Sequence, residues 1–395
     1  MNHVEITWRG PHNADFVLGY PGIAALWPRI AGSLLIKSKT VKDLEIHKVV
    51  IQLVLVEDIK GKKGENTKVS FDIGNPMPLY VRQSKDDSFV LMDLPFSYTL
   101  PYAWDNLELP QTMNLTFQGV KTRVAVSYRL RAVVTFMNNT STEHSRLVTL
   151  FDYSKTAIIR SLSGDKPAKK ITHDNATGKF TLQTGTSYGP GDSINVNVEL
   201  FIVNRGVLSA TCSGYTMTLI ETVTTKYDDS KRTGKILPSK TETLTVLTEG
   251  RPPLIKGHPS PKDPNDDRLQ LPDILKFPIK STLPVRDVPK EGVLDMPQEE
   301  ERMPHLMSSR YTNIGNMFEV TYLLRVDLKL RLGKDIFAEW PITLTPFSSE
   351  VCKQFAEPMA AAQRVAEAAF DGPLQGRFLT LEKRDDHNKK FRLIA

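Results

Sequence analysis

The residues of this chain able to do chemistry are spaced so as to exclude most of it. The histidines, at positions 3, 12, 47, 144, 173, 258, 305 and 387, are scattered and never stand four apart, so no helical face offers two imidazoles to a metal. Cys212 and Cys352 are the only cysteines, and neither has a second thiol at Cys-x-x-Cys spacing. Two distant cysteines fit a reducing compartment, although a pairing between them stays open. There is no Gly-x-Ser-x-Gly elbow to present a nucleophile, no Gly-x-x-x-x-Gly-Lys-Ser/Thr loop to cradle phosphate, and no Gly-x-Gly-x-x-Gly opening a helix. The expectation is a non-enzyme with no catalytic residue, no metal site and no cofactor.

Charge remains as the chemistry on offer. Lys60, Lys62 and Lys63 sit in a glycine-flanked basic loop, with Lys37, Lys39, Lys42 and Lys48 upstream. Arg123, Arg129 and Arg131 fall at even spacing, which puts all three on one face of a strand. A phosphate or an acidic segment could be held there by charge-assisted hydrogen bonds. The bland reading, that the lysines only solvate exposed loops, stands beside it. An acidic run, Glu299, Glu300 and Glu301 with Asp295, has Arg302 and Arg310 close by to neutralise it. The net charge of +6 favours acidic partners or anionic membranes, and it is too small to argue for nucleic acid.

The elements that position these groups are strands. From Arg123 to Phe136 one register reads Val124, Val126, Tyr128, Leu130, Ala132, Val134 and Phe136, while the arginines fall in the other. Phe318–Leu332 repeats the alternation, with Leu323 an apolar exception on the wet side, and Ile194–Val203 gives a third case. Ile46–Val56 is apolar on both registers, as a central strand should be. Val126-Ser-Tyr128-Arg-Leu130-Arg131 parallels Val320-Thr-Tyr322-Leu-Leu324-Arg325, which suggests two copies of one sandwich. The predicted division is a first sandwich over 1–155, a linker over 156–183, a second sandwich over 184–350 with a long loop at 248–317, and a helix and tail over 351–395. Residues 358–371 read as the one helical segment, with Met359, Ala362, Ala366, Ala369 and Phe370 at helical spacing. No apolar run reaches the length of a membrane span, and the first residues lack the pattern of a secretory signal. The sequons at Asn114, Asn138, Asn139 and Asn175 therefore read as chance, and a cell-surface glycoprotein is the weakest alternative.

Five motifs in order resemble the arrestin superfamily, and its α-arrestin trafficking adaptors in particular. They are Asp93-Leu-Pro95-Phe96-Ser-Tyr98-Thr-Leu100-Pro101, Leu109-Pro110-Gln-Thr-Met113 and Val126-Ser-Tyr128-Arg-Leu130-Arg-Ala132 in the first half. In the second half they are Tyr188-Gly-Pro190-Gly191-Asp-Ser-Ile194, and Phe318-Glu-Val320-Thr-Tyr322 with Trp340-Pro341-Ile342-Thr-Leu344. The resemblance implies an all-β fold of two tandem immunoglobulin-like sandwiches of the arrestin type, with a short C-terminal helix and tail. It also implies a cytoplasmic adaptor, peripheral at plasma membrane or endosomes, that grips cytoplasmic tails of membrane transporters or receptors and assists their endocytosis or sorting. Anionic lipid, clathrin or adaptin, and an indirectly recruited ubiquitin ligase are the further partners it implies. Phe378, Leu379, Leu381 and Glu382 approximate a clathrin-binding pattern, and Phe370 and Arg377 have the separation of an adaptin-binding one. One departure matters: Pro-Pro-x-Tyr, by which α-arrestins recruit WW-domain ligases, is missing, since Pro252-Pro253-Leu254-Ile255 has no tyrosine. That keeps alive a signalling or assembly scaffold of the same fold, without ligase or clathrin recruitment.

Overall fold

The computed structural model describes residues 4–9, 29–40, 44–61, 66–84, 87–100, 103–104, 107–116, 122–148, 150, 166–173, 176–202, 212–228, 236–252, 273–284, 311–331 and 334–346. Every regular element among them is a strand. The first half runs β1 (Val4–Arg9), β2 (Arg29–Ser38), β3 (Ile46–Lys60), β4 (Asn66–Val81) and β5 (Leu91–Thr99). It continues with β6 (Ala103–Trp104), β7 (Leu107–Glu108), β8 (Met113–Thr116), β9 (Arg123–Phe136) and β10 (Ser141–Val148). The second half runs β11 (Ala168–His173), β12 (Ala176–Leu182), β13 (Ser187–Tyr188), β14 (Ser193–Ile202) and β15 (Cys212–Asp228). It ends with β16 (Ile236–Gly250), β17 (Asp273–Thr282), β18 (Asn313–Ile314), β19 (Phe318–Leu330) and β20 (Ile336–Leu344).

Alternation drives the layering. Val124, Val126, Tyr128, Leu130, Ala132 and Val134 of β9 are buried, as are Phe318, Val320, Tyr322, Leu324, Val326, Leu328 and Leu330 of β19. Each strand therefore turns one face to an apolar interior and the other outward. In the first half the sheet β1-β2-β5 packs with β10-β9-β3-β4, to which β8 adds beside β9. In the second, β11-β12-β14-β17 packs with β13-β20-β19-β15-β16, to which β18 adds beside β19. β3 is central, between β9 and β4, and even its outward-register residues Val54 and Val56 are buried.

The two halves repeat one plan. β10-β9-β3-β4 has the same order as β20-β19-β15-β16, and the matching sequences of β9 and β19 occupy equivalent places. The duplication extends to single hydrogen bonds. Thr112 N–H donates to Leu150 O at 2.9 Å, and Leu150 N–H donates to the Thr112 hydroxyl at 2.8 Å. Thr312 N–H likewise donates to Leu344 O at 2.9 Å, and Leu344 N–H donates to the Thr312 hydroxyl at 2.9 Å.

Two expectations change at the element level. Part of the anticipated linker 156–183 is sheet, because β11 and β12 form a hairpin whose second strand pairs along β14. Its polar look comes from Lys169, Lys170 and Thr172, all exposed, while Ala176, Phe180 and Leu182 are buried. The anticipated loop 248–317 likewise contains β17, which pairs with β14 over ten residues, and β18. Pro278 and the lysines of β17 disguise it as loop; as the last strand of its sheet it tolerates both. The predicted helix at 358–371 lies outside the described residues.

Candidate partner-binding surfaces

The outward face of β10-β9-β3-β4 carries the arginines expected to share one strand face. Arg123, Arg129 and Arg131 do share the outward register of β9, but their surroundings separate them. Arg123 Nε donates to Asn114 Oδ1 at 2.9 Å, and Arg131 Nη2 donates to both Asp72 carboxylate oxygens at 3.0 and 3.2 Å. Arg129 lies exposed between Leu147 of β10 and Val54 of β3, and no acid pairs with it among the described residues. Lys48, Lys60 and Lys68 stand on the same outward register, against the carboxylates Asp58, Asp72 and Glu143. Lys60 is 3.9 Å from Asp58. The face is therefore a basic one, with Arg129 its uncommitted guanidinium. Lys62 and Lys63 lie outside the described residues. So do the acidic run at 299–301 and the tail positions Phe370, Arg377, Phe378, Leu379, Leu381 and Glu382.

A second polar constellation joins the halves, and its central residue was not singled out from sequence. Glu57 interrupts the inward register of β3, where its neighbours Leu55 and Ile59 are fully buried, and it is itself only 1% exposed. Burying a carboxylate is costly unless donors surround it. Those donors come from the turn entering β19: Oε1 accepts from Asn316 N–H at 3.0 Å and Asn316 Nδ2 at 3.2 Å, and Oε2 accepts from Met317 N–H at 2.8 Å. Beside it, the amide of Asn313 reads both backbone groups of Gln111. Gln111 N–H donates to Asn313 Oδ1 at 2.9 Å, and Asn313 Nδ2 donates to Gln111 O at 2.8 Å. Tyr311 donates its hydroxyl to Thr112 O, and Tyr128 donates to Pro110 O. Burial raises the phenol pKa of both tyrosines, and for Tyr128 the nearby Glu57 carboxylate adds to the effect. Both hydroxyls thus stay protonated as donors. The Leu109–Met113 motif, read from sequence as a turn of the first sandwich, is the surface on which the second sandwich docks.

The second sandwich has a small cleft of about 40 Å³, bordered by Tyr188, Pro190, Leu219, Leu283, Leu344 and Thr345. Buried Glu221 lines it and accepts a hydrogen bond from the Tyr322 hydroxyl at 2.8 Å. Among the described residues no group of three or more His, Cys, Asp or Glu side chains converges to hold a metal ion, and no helix is long and apolar enough to cross a membrane.

Comparison with known proteins bears on the second half. Residues 181–349 match the family model of the arrestin (or S-antigen) C-terminal domain, a span that covers β13 to β20 entire. No curated protein sequence matches the chain significantly. The first half repeats the sheet order of that domain and docks on it through Glu57, Gln111 and Thr112. Over residues 181–349 the chain is thus similar to an arrestin C-terminal domain.

Proposed function

We propose that the chain is a non-enzymatic, arrestin-like adaptor that binds cytoplasmic segments of membrane proteins and assists their endocytosis or sorting. The arrestin C-terminal domain supports the adaptor class. The observation that carries the ligand class is the outward basic face of the β9 sheet, which also carries Lys48 and Lys68 further along and on which Arg129 is exposed and lacks an acidic partner among the described residues. Such a face suits phosphorylated or acidic segments and anionic headgroups, since a guanidinium gives them paired charge-assisted hydrogen bonds. Recruitment of clathrin, adaptin or a ubiquitin ligase belongs to the same reading, with the cytoplasmic face of the plasma membrane or endosome as its site. A signalling or assembly scaffold is the second reading, favoured by the absent Pro-Pro-x-Tyr.

The test is capture of phosphorylated and unphosphorylated cytoplasmic segments of transporters on beads, with wild type and Arg129→Glu. Wild type should prefer the phosphorylated form and lose that preference as salt rises through physiological strength, where exposed charges about 8 Å apart are already screened. Arg129→Glu should abolish the preference with an unchanged melting temperature. Equal capture by wild type and variant sinks the assignment to this face.

A further inference from the structure

The strand register of β11-β12-β14-β17 lays out its outward face in rows. Lys170, Lys179, Glu199 and Lys276 stand opposite one another in a single row, one residue from each strand. Thr172, Thr177, Phe201 and Ile274 form the row on one side of it. Ala168, Thr181, Asn197 and Pro278 form the row on the other, and Asn195 with Lys280 lies beyond. The side chains of the alternate register hold this face outward, since Phe180, Val198 and Phe277 are buried.

The charge of the face is one-sided. Lys170, Lys179, Lys276 and Lys280, all exposed, stand against the one carboxylate of Glu199, which lies 3.4 Å from Lys179 and 3.5 Å from Lys276. Neither Lys170 nor Lys280 has an acidic partner among the described residues. Lys170 is set directly opposite Lys179, and like charges so placed destabilise a strand pair. On the other sheet of this sandwich, by contrast, Arg325 is held by both Asp327 and Glu339. Lys166 and Lys169 are exposed at the β11 border of the face and add to its charge. Next to the lysine row Ile274 is 49% exposed, opposite a half-buried Phe201.

We propose that this face docks on an anionic lipid bilayer, with the lysines among the headgroups and Ile274 and Phe201 at the boundary of the acyl chains. Three features select that occupant. The row crosses four strands, about 14 Å at the usual strand spacing, so its charges are spread over a surface and do not converge on one group. They are all lysines, compact charges on flexible stems, which serve many headgroups and impose no fixed geometry as an arginine fork does. The exposed Ile274 beside them gives apolar contact that a bilayer accepts and a soluble anion does not. The like-charge cost of Lys170 against Lys179 then has a use, because an anionic surface relieves it. The face lies on the other half of the molecule from Arg129, so it goes beyond the assignment made above to the β9 sheet.

The probe is a unilamellar vesicle co-sedimented with the full chain, either of phosphatidylcholine alone or with about one-third phosphatidylserine. Wild type should bind the second and not the first, and should be released as salt approaches 1 M, where the screening length falls to about 3 Å. A lysine near an anionic surface is worth about fivefold in binding, so Lys170→Gln/Lys280→Gln should weaken it about tenfold or more. Lys170→Gln alone should weaken binding while its melting temperature holds or rises, since it removes the repulsion with Lys179; a folding defect cannot give that combination. Ile274→Asn should also weaken binding and leave its salt dependence in place. Equal binding by wild type and the double variant, equal binding to the two vesicles, or no binding overturns the proposal. Inorganic phosphate should not displace the chain beyond the effect of sodium chloride at the same ionic strength; if it does, the ligand is a single phosphate and the bilayer assignment fails. The assignment also fails if the double variant keeps vesicle binding and loses a phosphorylated peptide. As proposed, it should lose the vesicles and still capture phosphorylated segments through Arg129, so the two assignments fail separately.

Discussion

Glu57 shows how much one side chain decides at the junction. Its two oxygens accept three hydrogen bonds from the turn at Asn316–Met317, and every donor belongs to the other half of the chain. A glutamine of the same shape would aim its own N–H group at one of those donors and leave a buried group unsatisfied. Glu57→Gln should therefore lower stability by about 1–3 kcal/mol, read by urea denaturation. The neighbouring Gly315 gives an independent check. A Cβ there would stand 2.2 Å from the Phe318 ring and 2.8 Å from Glu57 Oε1, so the turn has no room for a side chain. Gly315→Ala should shift Phe318 or expel the Glu57 carboxylate, and its destabilisation should shrink when Glu57 is already Gln. Full additivity of the two changes would mean that the turn and the carboxylate do not act together. Glu57 left a mark in the sequence: it is the lone charged residue on the inward register of β3. Nothing in the sequence identifies its donors, which lie some 260 positions away.

At the scale of elements, period-two alternation carried most of the legibility. β9 begins and ends at Arg123 and Phe136, the expected limits, and β14 and β19 differ from theirs by a residue or two at an end. Edge strands are harder to see, because the lysines and prolines that guard them erase the apolar pattern; β11 and β17 look like linker and loop in sequence for that reason. Irregularities inside strands were also hidden. Between the pairs Ile51–Met77 and Leu53–Ile73, Gln52 faces Gly74, Asn75 and Pro76, and Gly74 takes φ 68°, a left-handed conformation open to glycine. The bulge leaves carbonyls without ladder partners, and side chains supply them. Gln52 Nε2 donates to Ile73 O at 2.7 Å and Gly74 O at 3.2 Å, and Tyr98, from the facing sheet, donates to Ile73 O at 2.8 Å. Gln52→Leu removes the only described donor to Gly74 O and should cost about 1–3 kcal/mol. Tyr98→Phe should cost less, since Gln52 continues to serve Ile73 O. Equal losses in thermal melts would show that the two donors do not share the bulge as the geometry implies.

At the scale of the whole molecule, two sandwiches with separate sheets meet at one junction. The buried apolar residues of both halves form one contiguous cluster. The polar bonds that cross between them gather on a short stretch, from Tyr311 to Met317, received by Glu57 and by Gln111–Thr112. Polar contacts of this kind give orientation more than strength, because each hydrogen bond exchanges against water and nets about 1 kcal/mol. Each sandwich keeps its own buried strands, so losing the junction should uncouple the halves without unfolding either. The expected outcome is that wild type melts in a single calorimetric transition, whereas Glu57→Ala/Asn313→Ala melts in two. Glu57 and Asn313 hold opposite ends of one short hairpin, β18 to the start of β19. Either single change should therefore release much of what the double change releases. If the double variant melts in one transition at a lower temperature, the junction is only part of a common core and does not set the relation of the halves.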